Sequence, residues 1–294
     1  MDEQEWLADR FEEHRTHLRA VAYRMLGSLT EADDAVQDAW LRLSRSGAGE
    51  VENLGGWLTT IVARVCLNLL RSRNIRREES FRLHLPDPII SPDGALQPED
   101  EALLADSVGL ALLVVLDTLA PAERLAFVLH DVFGLSFEEI APMVDRTPTA
   151  ARQLASRGRR RVKGADLPAP DPDPARQREV VDAFFAAARA GDFDALVALL
   201  DPDVVLRADF GATGRGASRV IRGVAAVAKH ARPLPGAQLH PVMVNGTAGV
   251  VVTVAGRPIT VMGFTVAEGK IVEIDAIADP ARVRRIAAAV LTAE

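Results

Sequence analysis

The stretch LSFEEIAPMVDRTPTAARQLASRGRRRVKG, residues 135–164, contains two short helical patterns separated by a tight turn. Ser136 is placed to cap the first helix, because its side chain can accept a hydrogen bond from a backbone N–H of the first turn. Thr147 is placed to cap the second helix, and Pro148 occupies the first helical position, where no intrahelical donor is lost. Two helices joined in this way predict a helix-turn-helix.

The second of these helices is strongly basic. It carries several cations and no acid: Arg152, Arg157, Arg159, Arg160, Arg161 and Lys163. Surface helices usually pair cations with acids three or four residues away, so we expect these cations to have no partner and to face DNA phosphates. Gln153 and Ser156 add neutral hydrogen-bonding groups of the kind that read base edges. The alternative interpretation is a solvated surface helix.

Upstream, from about residue 5 to 77, apolar residues recur at helical spacing and predict a small helical bundle. A break falls at residues 27–30, where Thr30 can cap the next helix, and a Gly-rich loop covers residues 44–56. The segment TEADDAVQDAWLRL, residues 30–43, predicts an amphipathic helix with an acidic polar face. The segment GGWLTTIVARVCLNLLRSRNIRR, residues 55–77, predicts a following helix that ends in arginines.

Two proline-containing segments divide the chain. Residues 78–107 read as an acidic linker, and residues 165–175, which include LPAPDPDPA, read as a stiff connection. Beyond them the pattern changes to helices at 176–190 and 193–200, followed by short alternating strands. The strands are predicted at residues 204–208, 239–244, 249–254, 259–266 and 270–277, with helices at 219–230 and after Pro280. This part, residues 176–294, is predicted to be an α+β domain.

Composition limits the classes of protein to consider. With 294 residues, 48% of them hydrophobic, the chain is long enough for two or three domains, and no apolar run approaches the ~20 residues that span a bilayer. The N-terminus lacks the basic start and apolar stretch of a secretory signal, so we expect a cytoplasmic protein. Cys66, the single cysteine, is interpreted as a core residue. The histidine spacing suggests no metal site, and no cofactor is expected.

The order of the motifs carries a family resemblance. An acidic DAVQDAWLRL helix, a Gly-rich loop, the WLTTIVARVCLNLLRSR helix, a linker and the terminal helix-turn-helix resemble domains 2 and 4 of extracytoplasmic-function (ECF) sigma factors of RNA polymerase. The resemblance covers about residues 5–163 and implies two all-α domains, at residues 1–77 and 108–164. It implies a specificity subunit, and not an enzyme, that binds core RNA polymerase and promoter DNA.

The resemblance also assigns roles to particular residues. The acidic helix would bind the clamp helices of the polymerase largest subunit through Asp33, Asp34, Gln37, Asp38 and Trp40. The flap of core polymerase is a further partner that the resemblance implies. The loop at residues 44–56 and the basic helix would read and melt the minus-10 element, capturing an unstacked base, through Trp57, Arg64, Asn68, Arg71 and Arg73. The helix-turn-helix would read the minus-35 element through Thr147, Thr149, Arg152, Gln153, Ser156, Arg157 and Arg160.

The third domain resembles a SnoaL-like domain of the NTF2-like superfamily, a cone of curved sheet against helices. One ECF subgroup carries this extension in place of a separate anti-sigma protein, which implies regulation in cis. Its motifs are approximated by HLPDP at residues 84–88, where His84 stands in place of a Trp, by ADFGATG at residues 208–214 and by IVEIDAIADPARV at residues 271–283. The hypothesis is that the third domain packs on the sigma domains through an interdomain set comprising Pro86, Asp87, Pro88, Asp209 and Asp275.

Related folds include enzymes, so a second hypothesis is a SnoaL-like enzyme or ligand-sensing domain fused to a helix-turn-helix DNA binder. Its polar candidates are Asp209, His240 and Asp275. The pocket would be lined by Val205, Phe210, Val242, Met262 and Phe264. The only tyrosine is Tyr23, in the first domain, so the tyrosine donor of ketosteroid isomerase is missing, and no catalytic residue is assigned. Binding to core polymerase would distinguish the two hypotheses.

Overall fold

The computed structural model describes residues 3–46, 53–78, 84–92, 109–165, 169–211, 218–232 and 234–291. The chain divides into two compact units, each described by itself. The first, the helical unit, contains the described residues 3–78 (apart from 47–52) and 113–165. The second, the C-terminal unit, contains residues 84–92 and 109–112 together with the described residues from 169 onward. None of the described helices combines the length and the apolar composition needed to cross a membrane.

The helical unit is built from the two helical blocks that the sequence predicts. Its helices are α1 (Glu3–Leu26), α2 (Leu29–Ser46), α3 (Leu54–Glu78), α4 (Gly109–Asp117), α5 (Pro121–Phe127, followed by a π-helical turn Val128–Val132), α6 (Phe137–Ile140, followed by a 3-10 turn Ala141–Met143) and α7 (Pro148–Gly164). Helix α4 begins in residues assigned to the C-terminal unit. Helices α1, α2 and α3 pack on one another around fully buried apolar side chains that include Leu18, Leu58 and Val62.

One predicted cap in this bundle is wrong. Helix α2 begins at Leu29, and the carbonyl of Ser28 accepts the hydrogen bond from the N–H of Ala32 at 2.9 Å. Thr30 therefore lies inside the first turn and cannot be the cap. The Gly-rich loop predicted at residues 44–56 was too long, because residues 44–46 belong to α2 and residues 54–56 to α3. Residues 47–52 lie outside the described residues.

The C-terminal unit is a seven-stranded sheet covered by helices. Its elements are β1 (Ile90–Pro92), α8 (Pro174–Ala190), α9 (Phe193–Leu199), β2 (Leu200–Asp209), β3 (Arg219–Arg222), α10 (Val224–His230), β4 (Ala237–Val244), β5 (Thr247–Val254), β6 (Arg257–Ala267), β7 (Lys270–Ile277) and α11 (Pro280–Leu291). The strand order is β1-β4-β5-β6-β7-β2-β3, and only the β2–β7 pair is parallel. The predicted α+β class is confirmed.

The core of this unit lies between the sheet and the helices on one face. Val181 and Phe184 of α8 pack with Val250 of β5, Phe264 of β6 and Ile274 of β7, all nearly inaccessible to solvent. Three phenylalanines, 184, 185 and 264, form an edge-to-face cluster with ring centroids 5.5 to 5.9 Å apart. Helix α11 contacts β6 and β1.

Two segments differ from the prediction. Residues 219–222 form strand β3, paired with β2, and the helix begins only at Val224, after Gly223 with φ +83°. The predicted helix at 219–230 was therefore wrong in its first part, where the β-branched Val220 and Ile221 favour a strand. The segment predicted as a linker at 78–107 contains strand β1, which pairs antiparallel with β4.

Candidate nucleic-acid interface

The helix-turn-helix has both of its predicted caps. Ser136 and Glu139 form a reciprocal capping box at the start of α6, and the hydrogen bonds from Ser136 lower the pKa of Glu139. The turn contains Asp145 in the left-handed region, with φ +55°. Thr147 then caps α7, accepting a backbone hydrogen bond at 3.3 Å, and Pro148 is the first helical residue. The local signals in the sequence fix this motif because caps and turns act over three or four residues.

Helix α7 buries one narrow face and exposes the other. Ala151, Ala155 and Gly158 are buried. A Cβ added at Gly158 would lie 2.9 Å from the Cβ of Phe127, so the glycine allows α7 to pack closely on α5. The residues predicted to read the minus-35 element are all exposed: Thr147, Thr149, Arg152, Gln153, Ser156, Arg157 and Arg160. The structure therefore leaves this side of α7 available to the major groove.

The expectation that the cations of α7 have no partner was wrong. The Nε of Arg157 donates to Glu123 at 2.7 Å, and the Nε of Arg159 donates to Asp131 at 2.6 Å. Arg161 lies 3.3 Å from the same Glu123. The acids belong to α5 and the turn that follows it, so a search for pairs within α7 could not find them. These pairs attach α7 to the rest of its domain.

The remaining cations of α7 form no ion pair with an acidic side chain among the described residues. The guanidinium of Arg152 lies over the ring of Phe137, 5.2 Å from its centroid. No acidic side chain among the described residues pairs with Arg160 or Lys163, and both are exposed. The charge available to phosphates is therefore concentrated on Arg152, Arg160 and Lys163, with Arg157 shared between DNA and Glu123.

The acidic helix α2 presents its carboxylates to solvent. Asp33, Asp34, Gln37 and Asp38 are exposed, and Asp33 accepts a hydrogen bond from the Nε of Arg19 at 2.7 Å. Half-buried Trp40 packs on Phe11 of α1, with ring centroids 5.2 Å apart. A shallow depression of about 130 Å³ between α1 and α2 is lined by Asp33, Gln37 and Trp40 together with residues of α1. The structure thus combines negative charge with an aromatic surface on one side of this helix.

Four of the five predicted minus-10 residues share one stripe of α3. Trp57, Arg64, Asn68 and Arg71 follow one another at spacings of seven, four and three residues, and the last three are exposed. Arg73 points away from this stripe: it donates to the carbonyl of Leu26 at 2.9 Å and forms an ion pair with Glu31. It therefore stabilises the bundle. Sequence reasoning could not separate it from its neighbours because the whole helix end is basic.

Within the helical unit, the two helical blocks contact each other through arginines. Arg124 of α5 is buried, and its guanidinium donates to the carbonyl of Arg24 at 3.0 and 3.1 Å and to Asp117 at 3.2 Å. Arg64 of the minus-10 stripe donates to the carbonyl of Pro142 at 2.9 Å. We call the contacts of Arg124 with Arg24 and of Arg64 with Pro142 the helical junction; Asp117 belongs to the same block as Arg124.

The segment between the helical blocks is held by the C-terminal unit. Buried Asp209 accepts hydrogen bonds from the N–H of Leu85 at 2.8 Å and from Arg282 at 2.6 Å. Arg282 also donates to Asp87 at 2.6 Å, and Arg285 reaches the other oxygen of Asp87 at 2.5 Å. We call this set the linker clasp. It contains Asp87 and Asp209 of the predicted interdomain residues, whereas Arg282 and Arg285 were missed.

The residues around the linker clasp are buried and hydrogen-bonded. Pro86 and Pro88 are buried on either side of Asp87, and the N–H of Ile89 donates to the side chain of Asn245 at 2.7 Å. Burial alone would raise the pKa of Asp209. The hydrogen bonds from His84, Gly211 and Leu85 and the charge of Arg282 outweigh it and hold that pKa well below its ordinary range. Asp209 is therefore a charged anchor at neutral pH.

The contacts around Gly211 explain why the ADFG motif ends in a glycine. Gly211 has φ +68°, and a Cβ there would fall 1.9 Å from an oxygen of Asp279. Asp279 in turn accepts hydrogen bonds from the N–H groups of Ala281 and Arg282 at the start of α11. The glycine and the acid together position the helix that supplies Arg282.

Asp275 is not part of the linker clasp. It accepts a hydrogen bond from Arg207 at 3.1 Å, and Arg207 also donates to Glu273 at 2.7 Å. Burial raises the pKa of Asp275 to about 6, with the negative charge of Glu273 acting in the same direction against the attraction of Arg207. The structure therefore separates Asp275 from the other residues predicted to act with it.

The pocket predicted for the third domain is placed differently by the structure. A cavity of about 260 Å³ lies against α8, α10 and the sheet. Of the five residues predicted to line it, Met262 does so. Asp209 and Asp275 do not line the cavity, because they form ion pairs with Arg282 and Arg207. The Nε2 of His240 lies 2.9 Å from the hydroxyl oxygen of Thr253. The prediction failed because strand alternation places these polar residues on the other face of the sheet from Leu206, Leu239 and Ile274, which line the cavity.

Two smaller observations concern reactive groups. Cys66 is fully buried, and burial raises the pKa of its thiol to about 12, so its interpretation as a core residue is confirmed. Among the residues that the structure describes, no cluster of three His, Cys, Asp or Glu side chains could hold a metal ion.

Three families match the chain in the order of these elements. Sigma-70 region 2 matches residues 10–75, sigma-70 region 4 matches residues 109–162 and the SnoaL-like domain matches residues 181–274. The first two contain the acidic and basic helices and the helix-turn-helix. The third contains most of the C-terminal sheet.

The chain is also similar to whole proteins. The ECF RNA polymerase sigma factor SigJ of Mycobacterium tuberculosis is 42% identical over 214 residues, which is 72% of this chain and 68% of SigJ. The probable ECF RNA polymerase sigma factor SigI of the same organism is 35% identical over 272 residues, 91% of each chain. The crystal structure of M. tuberculosis SigJ superposes with a TM-score of 0.73 at 34% identity, covering 94% of this chain and 97% of SigJ.

Proposed function

This chain belongs to the ECF sigma factors of RNA polymerase, and we propose that its SnoaL-like domain regulates promoter-specific initiation in cis through the linker clasp. As a sigma factor it binds core RNA polymerase and promoter DNA. The observation that carries the regulatory proposal is that residues 84–92, which join the two sigma domains, are bound inside the C-terminal unit.

The linker clasp restricts the connection between the two sigma domains. Between Glu78 at the end of α3 and Gly109 at the start of α4, a free chain would act as one flexible tether. Holding residues 84–92 on a folded domain fixes the middle of this connection. The distance and orientation that the two DNA-reading domains can adopt then depend on the state of the linker clasp. Such a domain regulates without a separate anti-sigma protein.

The three binding surfaces of the helical unit fit the roles that the resemblance implies. We assign the minus-35 element to the exposed side of α7 and the minus-10 element to the α3 stripe of Trp57, Arg64, Asn68 and Arg71. We assign the clamp helices of core polymerase to the carboxylates of α2 and Trp40. The support is exposure and charge: exposed cations on α7 and α3 are suited to bind DNA phosphates, and the exposed carboxylates of α2 are suited to a basic protein surface.

Simultaneous promoter contacts require the helical junction to open. The minus-10 and minus-35 elements are about 25 base pairs apart, which is roughly 85 Å along B-DNA at 3.4 Å per pair. In the helical junction, Arg64 of the α3 stripe donates at 2.9 Å to the carbonyl of Pro142, which lies within the helix-turn-helix. Both surfaces cannot reach their elements in that arrangement, so promoter binding and junction opening are coupled.

The decisive experiment is in vitro transcription with purified core polymerase and three forms of the protein. These are the full chain, Arg282→Met, which opens the linker clasp, and a truncation that ends at Asp166. We expect both altered forms to change transcript yield several-fold and to tolerate a wider range of spacer lengths between the promoter elements. Arg284→Met, an exposed arginine on the same helix, is the matched control and should behave as the wild type. If both altered forms transcribe and bind polymerase as the full chain does, regulation in cis is refuted.

Polymerase binding tests the assignment of α2. The double substitution Asp34→Lys and Asp38→Lys should abolish holoenzyme assembly, measured by gel filtration with core enzyme. The control Asp182→Lys and Asp194→Lys makes the same charge change on exposed positions of α8 and α9. A holoenzyme that still assembles with the α2 double variant removes the assignment.

A further inference from the structure

The cavity in the C-terminal unit is apolar inside. It lies between α8, α10 and five strands, and the larger apolar strand side chains that line it are Leu206, Leu239, Val252, Met262 and Ile274. Phe184 and Phe185 of α8 form the opposite wall. The sigma-factor roles described above use none of these residues, and the linker clasp lies elsewhere in the unit.

The interior offers a ligand no free hydrogen-bond donor among the described lining residues. Thr260 is the one hydroxyl there, and its hydrogen is already donated to the carbonyl of Ile277 at 2.8 Å. A polar group placed deep in this cavity would lose its water without gaining a partner, which costs on the order of 1–3 kcal/mol. The part of a ligand inside the cavity must therefore be apolar.

The mouth of the cavity is cationic. Arg189 at the end of α8 and Arg232 after α10 line the cavity and are exposed. The Nε of Arg232 donates to the carbonyl of Lys229 at 3.2 Å, which orients its guanidinium and leaves the terminal nitrogens available. No acidic side chain forms an ion pair with either arginine in the described part of the chain, and no Asp or Glu is among the lining residues. A ligand that reaches this mouth meets uncompensated positive charge.

His230 adds to this arrangement. Its Nδ1 lies 2.8 Å from the carbonyl of Ala226, and because a carbonyl only accepts, this nitrogen carries the hydrogen. This hydrogen bond orients the ring of His230, which is exposed and lines the cavity as Arg232 does. Exposed Leu234, at 53% of its full accessibility, gives the same rim an apolar surface next to the cations.

We propose that this cavity binds a small carboxylic acid with an unbranched apolar body of up to about ten carbons, with its carboxylate held by Arg189 and Arg232. Guanidinium groups bind carboxylates with two parallel hydrogen bonds, which favours this head group over a neutral or cationic one. The length follows from volume: an apolar cavity of about 150 Å³ accommodates benzene, so 260 Å³ accommodates a body of about ten carbons. This binding does not depend on the regulatory role proposed above.

The test uses the full-length protein and three ten-carbon probes, sodium decanoate, decanol and decyltrimethylammonium, each below its micelle concentration, in isothermal titration calorimetry. We expect saturable one-to-one binding of decanoate, at least tenfold weaker binding of decanol and no binding of the cation. Equal affinity for decanoate and decanol, or no saturable binding of decanoate, would overturn the proposal.

Substitutions at the mouth test whether the two arginines bind the carboxylate. Arg189→Met with Arg232→Met should reduce the affinity for decanoate at least tenfold while leaving decanol unchanged. Arg222→Met with Arg284→Met removes the same charge from exposed positions outside the lining and should change neither affinity. Decanoate binding that survives the first pair unchanged contradicts the assignment of the mouth.

A measurement on the unmodified chain makes the result independent of variant folding. With methyl-labelled methionine, decanoate should shift the resonance of Met262, which lines the cavity, and leave that of buried Met25 of α1 unchanged. Saturable decanoate binding without a shift of Met262 would show that the acid binds elsewhere and would overturn the proposal.

Discussion

The two units hold their parts together by different chemistry. In the linker clasp, the carboxylates of Asp87 and Asp209 meet the guanidinium of Arg282 at 2.6 Å, and strand β1 adds backbone hydrogen bonds to β4. In the helical junction, Arg124 and Arg64 donate to backbone carbonyl oxygens of the opposite block. Opening the linker clasp strands a buried negative charge, whereas opening the helical junction returns arginines to water.

The difference indicates which contact opens during function. Removing one partner of a buried ion pair is strongly destabilising, because the other charge remains desolvated. Arginine donors, by contrast, exchange a carbonyl for water or a DNA phosphate at little cost. We therefore expect the helical junction to open on promoter binding, and the linker clasp to stay closed unless another interaction replaces it.

The largest effect is expected from Arg282→Met, which leaves the buried carboxylate of Asp209 without its arginine. The substitution should destabilise the C-terminal unit by about 3–5 kcal/mol and release residues 84–92. Amide hydrogen exchange is the direct measurement, because the N–H groups of Leu85 and Ile89 donate to Asp209 and Asn245. Both amides should exchange much faster, and those in the variant Arg284→Met should not. Unchanged protection would mean that strand pairing alone holds the segment.

The next effect is a pH dependence with two opposite parts. The pKa of Asp275 is raised to about 6, so the folded chain takes up this proton before the unfolded chain does, and stability rises as pH falls from about 6 to 4. This contribution reaches at most about 3 kcal/mol. The pKa of Asp209 is lowered, so its contribution is present above about pH 4 and is lost as pH falls further.

Denaturant titrations at a series of pH values measure both parts. Asp275→Asn should flatten the profile between pH 6 and 4 and leave the loss below pH 4. Asp209→Asn should be destabilised at pH 7 and approach the wild type only in acid. A rise that persists in Asp275→Asn would assign it to another group.

A smaller effect is expected for Arg124→Met in the helical junction. It removes the hydrogen bonds to Arg24 and Asp117 and should cost about 2 kcal/mol, since donors with a formal charge contribute about 1.5–3 kcal/mol. Because the two blocks then separate more readily, small-angle scattering should show a larger radius of gyration. Arg45→Met, at an exposed position of α2, is the control. If the radius stays constant, apolar packing and not Arg124 closes the unit.

These contacts show where sequence reasoning succeeds and where it stops. The caps at Ser136 and Thr147, the strand at residues 270–277 and the acidic face of α2 follow from neighbours within a few residues, and all were predicted. Ion pairs that join distant positions were not. Glu123 is 34 residues from Arg157, and Arg282 is 195 residues from Asp87, so only the fold brings them together.

The sequence did not predict strand β1, for a related reason. The prolines at 86, 88 and 92 break the alternating pattern, and the segment pairs with a strand that begins at Ala237. An edge strand accepts prolines because one of its sides needs no backbone donor. The local pattern therefore indicated a linker, while the partner that makes it a strand lies far along the chain.

The smallest effect is expected for Arg64→Ala, and it tests the coupling between the two roles of that residue. Its exposed hydrogen bond to Pro142 contributes about 1 kcal/mol, so its loss should raise the ratio of open to closed helical unit about fivefold. Dyes on cysteines introduced at Ser44 and Lys163 report this ratio by single-molecule energy transfer. The native Cys66 does not compete for dye, because it is buried and its pKa is raised to about 12.

Arg71→Ala is the matched control, because Arg71 lies on the same exposed stripe of α3. Without DNA, only Arg64→Ala should change the ratio. With promoter DNA, both variants should weaken minus-10 binding, since each removes a cation from the stripe. If the two variants behave alike without DNA, the contact with Pro142 does not hold the unit closed. Opening would then be controlled by Arg124 and the packing around it.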